Sequence, residues 1–436
     1  MNPAQCRAYL RDLERFGIKL GLDNVSALLA ALGNPHRAAP SVHVAGTNGK
    51  GSVCAMLAEV LARHGFKVGL YTSPHLVRVE ERIRINGRTI GPVDFRRLAA
   101  VVKRTTERLI AKKKLDAPPT FFEVLTAVAF LYFRERGVDI EILETGMGGR
   151  FDATNVTLPL VSVITNVALD HQDHLGRTVG RIALEKAGII KTGVPVVCGA
   201  DDSAAWKVIR KRAAEMNAPL VRVFGQDGRF ETGSAKERML FSYRIGDKTF
   251  RFSPALRGEH QGRNAAIVIV TASVLSRVWR PLEDYKIIEG IAAARWDGRL
   301  ELVATRPDVF LDGAHNETGA AAVRRFIEQT MSRPPVLVFA VMKDKAIGRM
   351  AGTLFPAARE VILTSIPYPR AARPDEVLRQ ARPFGAKTTI EPDLAKAIAA
   401  ARARAGKIGT VLITGSLFLV GEAKKVLAGA LSRGKA

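Results

Sequence analysis

The feature that most constrains the fold of this chain is a glycine-rich loop at residues 43–52, which reads His-Val-Ala-Gly-Thr-Asn-Gly-Lys-Gly-Ser. Residues 41–44 form a short segment that is partly apolar and partly β-branched, as in a buried strand. Residues 53–64 carry apolar side chains at the spacing of a helix. A strand, a glycine-rich turn and a helix in this order point backbone N–H groups and the helix dipole at one place. The sequence therefore predicts a polyphosphate-binding loop in an α/β domain.

Two side chains of this loop suit nucleotide chemistry. Lys50 would reach the outer phosphates, and the Ser52 hydroxyl would ligate Mg²⁺. The common phosphate-loop pattern is G-x-x-x-x-G-K-[ST], whereas this loop has Val44 at the first position and reads G-x-x-G-K-G-S. The alternative is a glycine-rich turn with a solvated lysine, and the flanking strand and helix count against it.

Composition bounds the class of protein. The chain of 436 residues is long enough for two or three domains. Its 66 Lys and Arg against 42 Asp and Glu give a formal net charge of +24, which attracts polyanions in general. The basic residues are scattered, however, and aromatic residues make up only 6%, so stacking surfaces for nucleic acid are scarce. We therefore expect anionic small-molecule substrates and no nucleic acid; an arginine-rich compositional bias is the other explanation.

The sequence also favours one compartment. Residues 1–20 alternate charged and apolar side chains like an amphipathic helix and lack the apolar run of a secretory signal. No stretch approaches the roughly 18 apolar residues that a membrane span needs. The three cysteines, Cys6, Cys54 and Cys198, fit a reducing compartment and are expected in the core. These features predict a cytoplasmic protein that does not bind membranes.

Apolar runs along the chain indicate two successive α/β domains. Strands covered on both faces are expected at 68–72, 140–144, 161–166 and 194–199, and then at 309–312, 336–341, 361–365 and 410–414. Helices are expected at 93–113, 120–136 and 262–278, and short alternating runs at 219–254 predict an antiparallel hairpin region. We expect a P-loop ATPase domain at 1–297, with a mostly parallel sheet and a small antiparallel part. A smaller, Rossmann-like doubly wound domain is expected at 298–436.

Polar side chains follow several of these predicted strands. Glu144 ends one strand and precedes a glycine-rich turn, at the edge where open α/β sheets bind ligands. His171 follows the next strand in Leu-Asp-His-Gln-Asp-His-Leu, where it either binds Mg²⁺, orients a phosphate or is a loop residue. Ser73, which precedes Pro74, is on its own a turn residue. In the second domain Asp312 and His315 again follow a strand.

Seven motifs in register resemble one family, the folylpolyglutamate synthase/dihydrofolate synthases, which form the folate branch of the Mur-ligase superfamily. The motifs are G-T-N-G-K-G-S (46–52), T-S-P-H-L (72–76), E-T-G-M-G-G-R-F-D-A-T-N (144–155), T-N-V-A-L-D-H-Q-D-H-L-G (165–176), E-K-A-G-I-I-K (185–191), G-E-H-Q-G-R-N-A (258–265) and L-D-G-A-H-N (311–316). The resemblance runs from about residue 40 to the end of the chain.

The resemblance implies an ATP-dependent amide ligase. ATP would phosphorylate the carboxylate of dihydropteroate, or of the last glutamate of a folate, and the amine of L-glutamate would then displace phosphate. Whether dihydropteroate, folates or both are accepted is left open. The family is largely monomeric, so a monomer is expected. An amide made from a carboxylate needs a leaving group, which agrees with a phosphate loop and Mg²⁺.

The resemblance also implies roles for individual residues. The expected ATP contacts are Gly46, Thr47, Asn48, Gly49, Lys50, Gly51, Ser52, Asn264, Arg299 and Asp312. The expected Mg²⁺ ligands are Ser52, Ser73, Glu144, His171 and, at a second site, a carbamylated Lys186. The expected substrate contacts are Phe122, Glu123, Asp152 and His315. Lys50, Lys186, Asp312 and His315 are the residues expected to serve catalysis. Without the resemblance, Lys186 would be interpreted as a helical residue paired with a neighbouring acid.

Two rival interpretations remain. Cell-wall members of the superfamily usually carry a UDP-binding domain ahead of the ATP loop, and residues 1–45 are too short a stretch for it. A P-loop NTPase of another class, such as a GTPase or kinase, accounts for the loop but not for the second α/β domain with Asp312 and His315.

Overall fold

The computed structural model describes residues 1–14, 17, 21–115, 117–225, 228–234 and 239–433. The chain forms two compact units. The first comprises residues 1–75, 79–254 and 263–294, and the second comprises residues 76–78, 255–262 and 295–436. In the part of the chain that the structure describes, no helix is long and apolar enough to cross a membrane.

The first unit is built on an eight-stranded sheet. Its strands are β1 (Ser41–Ala45), β2 (Val68–Tyr71), β3 (Ile83–Ile85), β4 (Arg88–Thr89), β5 (Ile140–Glu144), β6 (Val161–Ile164), β7 (Val196–Cys198) and β8 (Leu220–Arg222). They lie in the order β4-β3-β2-β5-β1-β6-β7-β8. The six strands from β2 to β8 in that order pair in parallel, and β3 and β4 add an antiparallel edge.

A separate antiparallel sheet of three strands follows. It contains β9 (Gly228–Ser234), β10 (Met239–Ile245) and β11 (Lys248–Phe252), with β10 in the middle. This sheet lies where alternating runs predicted hairpins; residues 226, 227 and 235–238 of that region lie outside the described residues. Stacked rings of Phe230, Phe241 and Phe252 cover one of its faces.

Helices connect and cover the strands. Those of residues 1–294 are α1 (Pro3–Glu14), α2 (Asp23–Ala31), α3 (Lys50–Arg63), α4 (Pro92–Ala111), α5 (Phe121–Arg136), α6 (Gln172–Leu175), α7 (Val179–Ala187), α8 (Ser203–Glu215), α9 (Glu259–Val278) and α10 (Asp284–Ala293). The strands β1, β2, β5, β6 and β7 are buried at every position, as expected of parallel strands with helices on both faces.

The second unit has a six-stranded sheet in the order β12-β13-β17-β14-β15-β16. Its strands are β12 (Glu301–Ala304), β13 (Asp308–Leu311), β14 (Val336–Phe339), β15 (Glu360–Leu363), β16 (Thr388–Ile390) and β17 (Thr410–Thr414). All pair in parallel except β12. The helices are α11 (Glu317–Thr330), α12 (Ile347–Leu354), α13 (Pro374–Ala381), α14 (Leu394–Ala405) and α15 (Leu417–Arg433). Two apolar clusters pack on this sheet.

The predicted fold class is confirmed, and the differences lie at element ends. The helix expected at 53–64 begins at Lys50, so the last residues of the glycine-rich loop form its first turn. The helix expected in residues 1–20 spans Pro3–Glu14, and residues 15, 16 and 18–20 lie outside the described residues. All three cysteines are buried. The boundary at residue 298 stays a prediction.

Glu141 is an acidic side chain in the middle of the first sheet. It lies in β5, pairs with Ser41 on one side and Gly69 on the other, and is 0% exposed. Neither carboxylate oxygen has a hydrogen-bond partner among the described residues. Burial therefore raises the pKa of Glu141 well above its usual value of 4.5.

This burial predicts a stability that falls with rising pH. Above pH 4.5 the unfolded chain loses the Glu141 proton while the folded chain keeps it, so folding loses about 1.4 kcal/mol per pH unit until the folded pKa is reached. Glu141→Gln removes the titration. In urea unfolding, the variant should be the more stable protein at pH 8, and the difference should shrink towards pH 5.

The matched control is Glu107→Gln on α4, since that side chain is 59% exposed. This variant should follow the wild-type dependence on pH. A stability difference between Glu141→Gln and wild type that stays constant from pH 5 to pH 8 contradicts a neutral, buried Glu141.

Candidate active site

The glycine-rich loop joins β1 to α3. Gly49 has φ +82°, a conformation that side chains rarely adopt, and a Cβ there would lie 2.5 Å from Asn264 Oδ1. Glycine at this position therefore lets Asn264 of α9 approach the loop backbone. The loop and Asn264, both predicted to contact ATP, are brought together.

The residues after β6 hold this loop in place. Asn166 accepts the Thr47 N–H through its carbonyl oxygen (3.0 Å) and the Asn48 N–H through its side-chain oxygen (2.8 Å). The Thr165 hydroxyl donates to the Asn48 carbonyl at 2.7 Å. The loop backbone is thus fixed by the neighbouring parallel strand.

The first turn of α3 presents the groups that a phosphate and a cation need. Lys50 Nζ donates to the carbonyl oxygens of Gly46 (3.0 Å) and Thr47 (3.2 Å). The Ser52 hydroxyl is buried and has no hydrogen-bond partner among the described residues. Since the first N–H groups of a helix also lack acceptors within the helix, this turn fits a Mg²⁺-bound phosphate chain.

Two further predicted metal ligands meet at the ends of β5 and β2. Glu144 is 4% exposed, and its Oε2 accepts the N–H of Ser73 at 3.1 Å. Burial, followed by the Glu144 charge, raises the pKa of the Cys54 thiol, and Lys50 opposes the rise. Glu144 and Lys50 therefore both act on the first turns of α3.

Lys186 is buried rather than paired on a helix surface. It lies in the last turn of α7, is 3% exposed and has no hydrogen bond or ion pair among the residues that the structure describes. Burial, and then the charge of Lys50, lowers the pKa of Lys186 to about 7, while Asp170 and Asp152 oppose the shift. An amine with such a pKa is partly neutral at physiological pH, and the neutral amine is the form that adds CO₂.

The loop after β5 packs against the end of α7. The Arg150 N–H donates to the Glu185 carbonyl at 2.8 Å. A Cβ at Gly149 would lie 2.9 Å from Glu185 O and 3.0 Å from Lys186 O. Glycine is therefore required for the loop to lie directly on the turn that carries Lys186.

Asp152 ends this loop and is 6% exposed. Its Oδ2 accepts the N–H of Met147 at 3.0 Å, and its Oδ1 accepts the N–H and hydroxyl of Thr154 at 3.0 and 2.5 Å. Burial raises the pKa of Asp152, and these hydrogen bonds oppose the rise.

The segment after β6 contributes His171 and a residue that the sequence did not single out. His171 precedes α6 with φ +48°, and its N–H donates to Asp170 Oδ1 at 2.9 Å. Asp170 is only 8% exposed and acts electrostatically on Lys186. The dense Asp and His residues of this motif were the available signal, but nothing in the sequence distinguished the buried Asp170 from the exposed Asp173.

Phe122 and Glu123 lie in the first turn of α5. The Phe122 ring is 5.7 Å from the ring of Tyr71 and would meet a Cβ at Gly146 at 2.7 Å. Glu123 Oε2 accepts the N–H of Thr120 at 2.7 Å in a capping box. The Glu123 carboxylate thus has a structural partner, and its contact with substrate stays a prediction.

In the second unit, Arg299, Asp312 and His315 lie close together. Asp312 follows β13, and its Oδ2 accepts the N–H of Leu300 at 2.9 Å. Burial raises the pKa of Asp312, and the Arg299 guanidinium opposes the rise. His315 Nδ1 lies 2.8 Å from the Gly313 carbonyl and therefore donates to it.

No group of three His, Cys, Asp or Glu side chains suited to a metal occurs in the described ranges of the chain. Mg²⁺ commonly takes one or two carboxylates and completes its shell with water and phosphate oxygens. The pair Ser52 and Glu144 is compatible with such a site.

Comparison with known proteins agrees with both units. The Mur ligase middle domain matches residues 44–272, and the Mur ligase glutamate ligase domain matches residues 298–417. Dihydrofolate synthase/folylpolyglutamate synthase of Bacillus subtilis is 36% identical over 97% of this chain and 98% of its own length. Folylpolyglutamate synthase of Lacticaseibacillus casei is 37% identical over 99% of this chain and 100% of its own.

A solved structure extends the likeness to the fold. Escherichia coli FolC in complex with DHPP and ADP superposes with a TM-score of 0.87 at 30% identity, covering 98% of both chains. The fold and both domain matches define a ligase of the Mur type. The chain belongs to the dihydrofolate synthase/folylpolyglutamate synthase family. It is an ATP-dependent ligase that adds glutamate in folate metabolism.

The close contact of Gly149 with α7 predicts that a larger residue at position 149 lowers both stability and activity. Gly149→Ala should push the loop away from the turn that carries Lys186, cost about 1–3 kcal/mol of stability through overpacking, and lower ligase activity. Gly180→Ala on the first turn of α7 is the control, because nothing lies within 4 Å of a Cβ there. It should be neutral or stabilising in urea unfolding. Equal effects of the two variants would rule out the packing constraint.

Proposed function

We propose that the chain joins L-glutamate to the carboxylate of dihydropteroate, to the glutamate tail of a folate, or to both, through an acyl phosphate. An oxygen of the acceptor carboxylate forms a bond to the γ-phosphorus of ATP, and the bond from that phosphorus to ADP breaks. The neutral amine of glutamate then forms the C–N bond, phosphate leaves with the carboxylate oxygen, and one amine proton is released. The observation that carries this proposal is the buried Ser52 hydroxyl, which has no hydrogen-bond partner among the described residues and lies two positions after Lys50 at the start of α3.

In this proposal the loop binds the phosphates of ATP. Backbone N–H groups of Gly49, Gly51 and Ser52 face the anion at the helix N-terminus. Lys50 exchanges its contacts with the Gly46 and Thr47 carbonyls for phosphate oxygens, which keeps its charge beside the transferred group. Asn264 lies against the loop at Gly49.

Ser52, Ser73, Glu144 and His171 would hold Mg²⁺. The ion, when bound, neutralises charge on the phosphates. Glu144 supplies a buried carboxylate oxygen already oriented by the Ser73 N–H, and Ser52 supplies a hydroxyl without another partner among the described residues. This donor set is of the hard-oxygen type that suits Mg²⁺, with one imidazole.

Lys186 would hold a second Mg²⁺ as a carbamate. CO₂ adds to the neutral ε-amine, a C–N bond forms and one proton is lost, which leaves an anionic oxygen ligand. The burial of Lys186 and its pKa of about 7 support this modification. The positive charge of Lys50, which disfavours a second cation at Lys186, would favour an anion there. An unmodified ammonium group would repel the metal.

The remaining assignments rest on position in the family motifs. Asp152, Phe122 and Glu123 would contact the acceptor; Arg299, Asp312 and His315 would contact nucleotide or glutamate. We further propose a cytoplasmic monomer that does not bind nucleic acid or membranes.

A coupled assay for ADP tests the proposed function. Protein mixed with ATP, Mg²⁺, glutamate and either dihydropteroate or tetrahydrofolate should form ADP only when all components are present. Lys50→Ala should lower this rate about 100-fold or more, since a cationic donor at the transferred phosphoryl group is lost. The control is Lys207→Ala, since Lys207 is an exposed residue of α8, and this variant should keep wild-type turnover. Near wild-type turnover in Lys50→Ala would exclude the phosphate-loop assignment.

A second prediction concerns Lys186. Lys186→Ala should be nearly inactive and partly rescued by acetate, which can supply a carboxylate ligand in its place. Wild-type protein in ¹³C-bicarbonate should show a carbamate carbon signal by NMR that is missing from the variant. Lys191→Ala is the matched control. Lys191 Nζ donates to Asn155 O at 2.8 Å, so acetate should not restore any activity that this variant loses. Full activity in Lys186→Ala would refute the second metal site.

A further inference from the structure

A buried hydrogen-bonded chain connects the strand that carries the ATP loop to Asp152. His43 lies in β1, three residues before Gly46, and is 0% exposed. Its Nε2 lies 2.7 Å from the Thr154 hydroxyl, and that hydroxyl lies 2.5 Å from Asp152 Oδ1. Thr154 is itself 0% exposed, in a short 3₁₀-helix at Ala153–Val156.

The proton positions follow from the chemistry of these groups. A hydroxyl has one proton to donate, and an ionised carboxylate only accepts. The Thr154 hydroxyl therefore donates its proton to Asp152, and the hydroxyl oxygen accepts a hydrogen bond from His43. His43 must then carry its proton on Nε2.

The other nitrogen of His43 agrees with this assignment. Nδ1 is buried and has no hydrogen-bond partner among the described residues. A proton on Nδ1 would have no acceptor there, whereas a lone pair needs none. Burial, and then the charge of Lys191, lowers the pKa of His43 to about 3. The imidazole is thus a neutral, permanent donor and takes no part in acid–base exchange.

The hydrogen-bonded chain also begins at a fixed position in the sheet. His43 pairs with Leu143 of β5 and with Ser162 of β6, in the middle of the parallel sheet. Asp152 Oδ1 is held from this side through Thr154, and Oδ2 is held by the Met147 N–H. The strand that positions the ATP loop therefore contributes, through the Thr154 hydroxyl, to the orientation of the carboxylate.

We propose that His43 is a positioning residue for the acceptor substrate. Through Thr154 it orients the Asp152 carboxylate so that the acceptor, a pterin-bearing carboxylic acid, is bound with its own carboxylate at the ATP loop. This inference rests on the proposed function, and in particular on the contact between Asp152 and the acceptor.

A second buried histidine provides a control that distinguishes this positioning role from simple packing. His36, in the 3₁₀-helix Pro35–Arg37, is 9% exposed, and its ring lies 5.9 Å from that of Phe130. Its Nδ1 is also without a hydrogen-bond partner among the described residues. It makes no contact with Thr154 or Asp152 among the hydrogen bonds of the described chain, so His36→Leu reports the loss of a buried imidazole alone.

The test is the Michaelis constant for each of the three substrates in His43→Leu, His43→Gln, Thr154→Val, the His43→Leu/Thr154→Val double variant and His36→Leu. The acceptor is dihydropteroate or tetrahydrofolate, whichever wild type turns over faster. His43→Leu should raise the acceptor KM about tenfold, the equivalent of one hydrogen bond, with the KM values for ATP and glutamate within about twofold. His43→Gln should recover most of the loss, since its amide can donate from near the position of Nε2.

The double variant should be no worse than Thr154→Val, because both changes break one chain. His36→Leu should leave the acceptor KM unchanged even where it lowers stability. If His43→Leu does not fold, Thr154→Val against Thr154→Ser provides the same contrast, with only serine keeping the hydroxyl.

Equal rises in all three KM values, or equal behaviour of the Leu and Gln variants, would overturn the proposal and leave His43 a packing residue. Asp152→Asn with an unchanged acceptor KM would overturn it too, while ATP-dependent ligation by wild type would still stand. Absence of ADP formation by wild type contradicts the proposed function itself and is recognised before any variant is made.

Discussion

The pairing of β1 with β5 on one side and β6 on the other is the constraint on which the candidate site depends. These parallel strands are buried at every position, so the polar groups that can reach a ligand collect where the strands end. The glycine-rich loop follows β1, Glu144 is the last residue of β5, and the 165–171 segment follows β6. Because the loop backbone forms hydrogen bonds with Thr165 and Asn166, the shape of the loop depends on the register of β1 against β6.

Buried charge is the second organising element. Lys186, Glu144, Asp152 and Asp170 are all at most 8% exposed, and charges removed from water are stable only with compensating partners. Asp152 has three hydrogen-bond donors, whereas Lys186 has none of its own among the described groups and is driven towards its neutral form. Conversion of that amine to an anion that binds a cation would remove the imbalance.

Much of this arrangement could be predicted from the sequence because it depends on local patterns. Apolar runs located the central strands, and glycine spacing located the turn between β1 and α3. Glu144 lies at a strand end, as predicted. The family resemblance supplied Ser73, Asp152 and Lys186, whose own residue types are uninformative. The start of helix α3 at Lys50 was missed because its first turn contains Gly51 and Ser52, which are weak helix formers.

Features that depend on tertiary burial could not be predicted in this way. Asp170 and Asp173 look alike in sequence, yet only Asp170 is buried near Lys186. His43 looks like one more strand residue until Thr154, more than a hundred positions away, is placed against it. Glu141 interrupts an apolar strand and has no hydrogen-bond partner in the part of the chain that the structure describes, which no pattern rule anticipates.

Transfer of isotopic oxygen tests the central claim most directly. If the acceptor carboxylate is activated by phosphorylation, one of its oxygens leaves with the phosphate. Dihydropteroate or tetrahydrofolate labelled with ¹⁸O in the reacting carboxylate should therefore yield inorganic phosphate that contains one ¹⁸O atom, in equal amount to the ADP formed. Phosphate free of the label, formed alongside the amide product, would contradict an acyl-phosphate ligase.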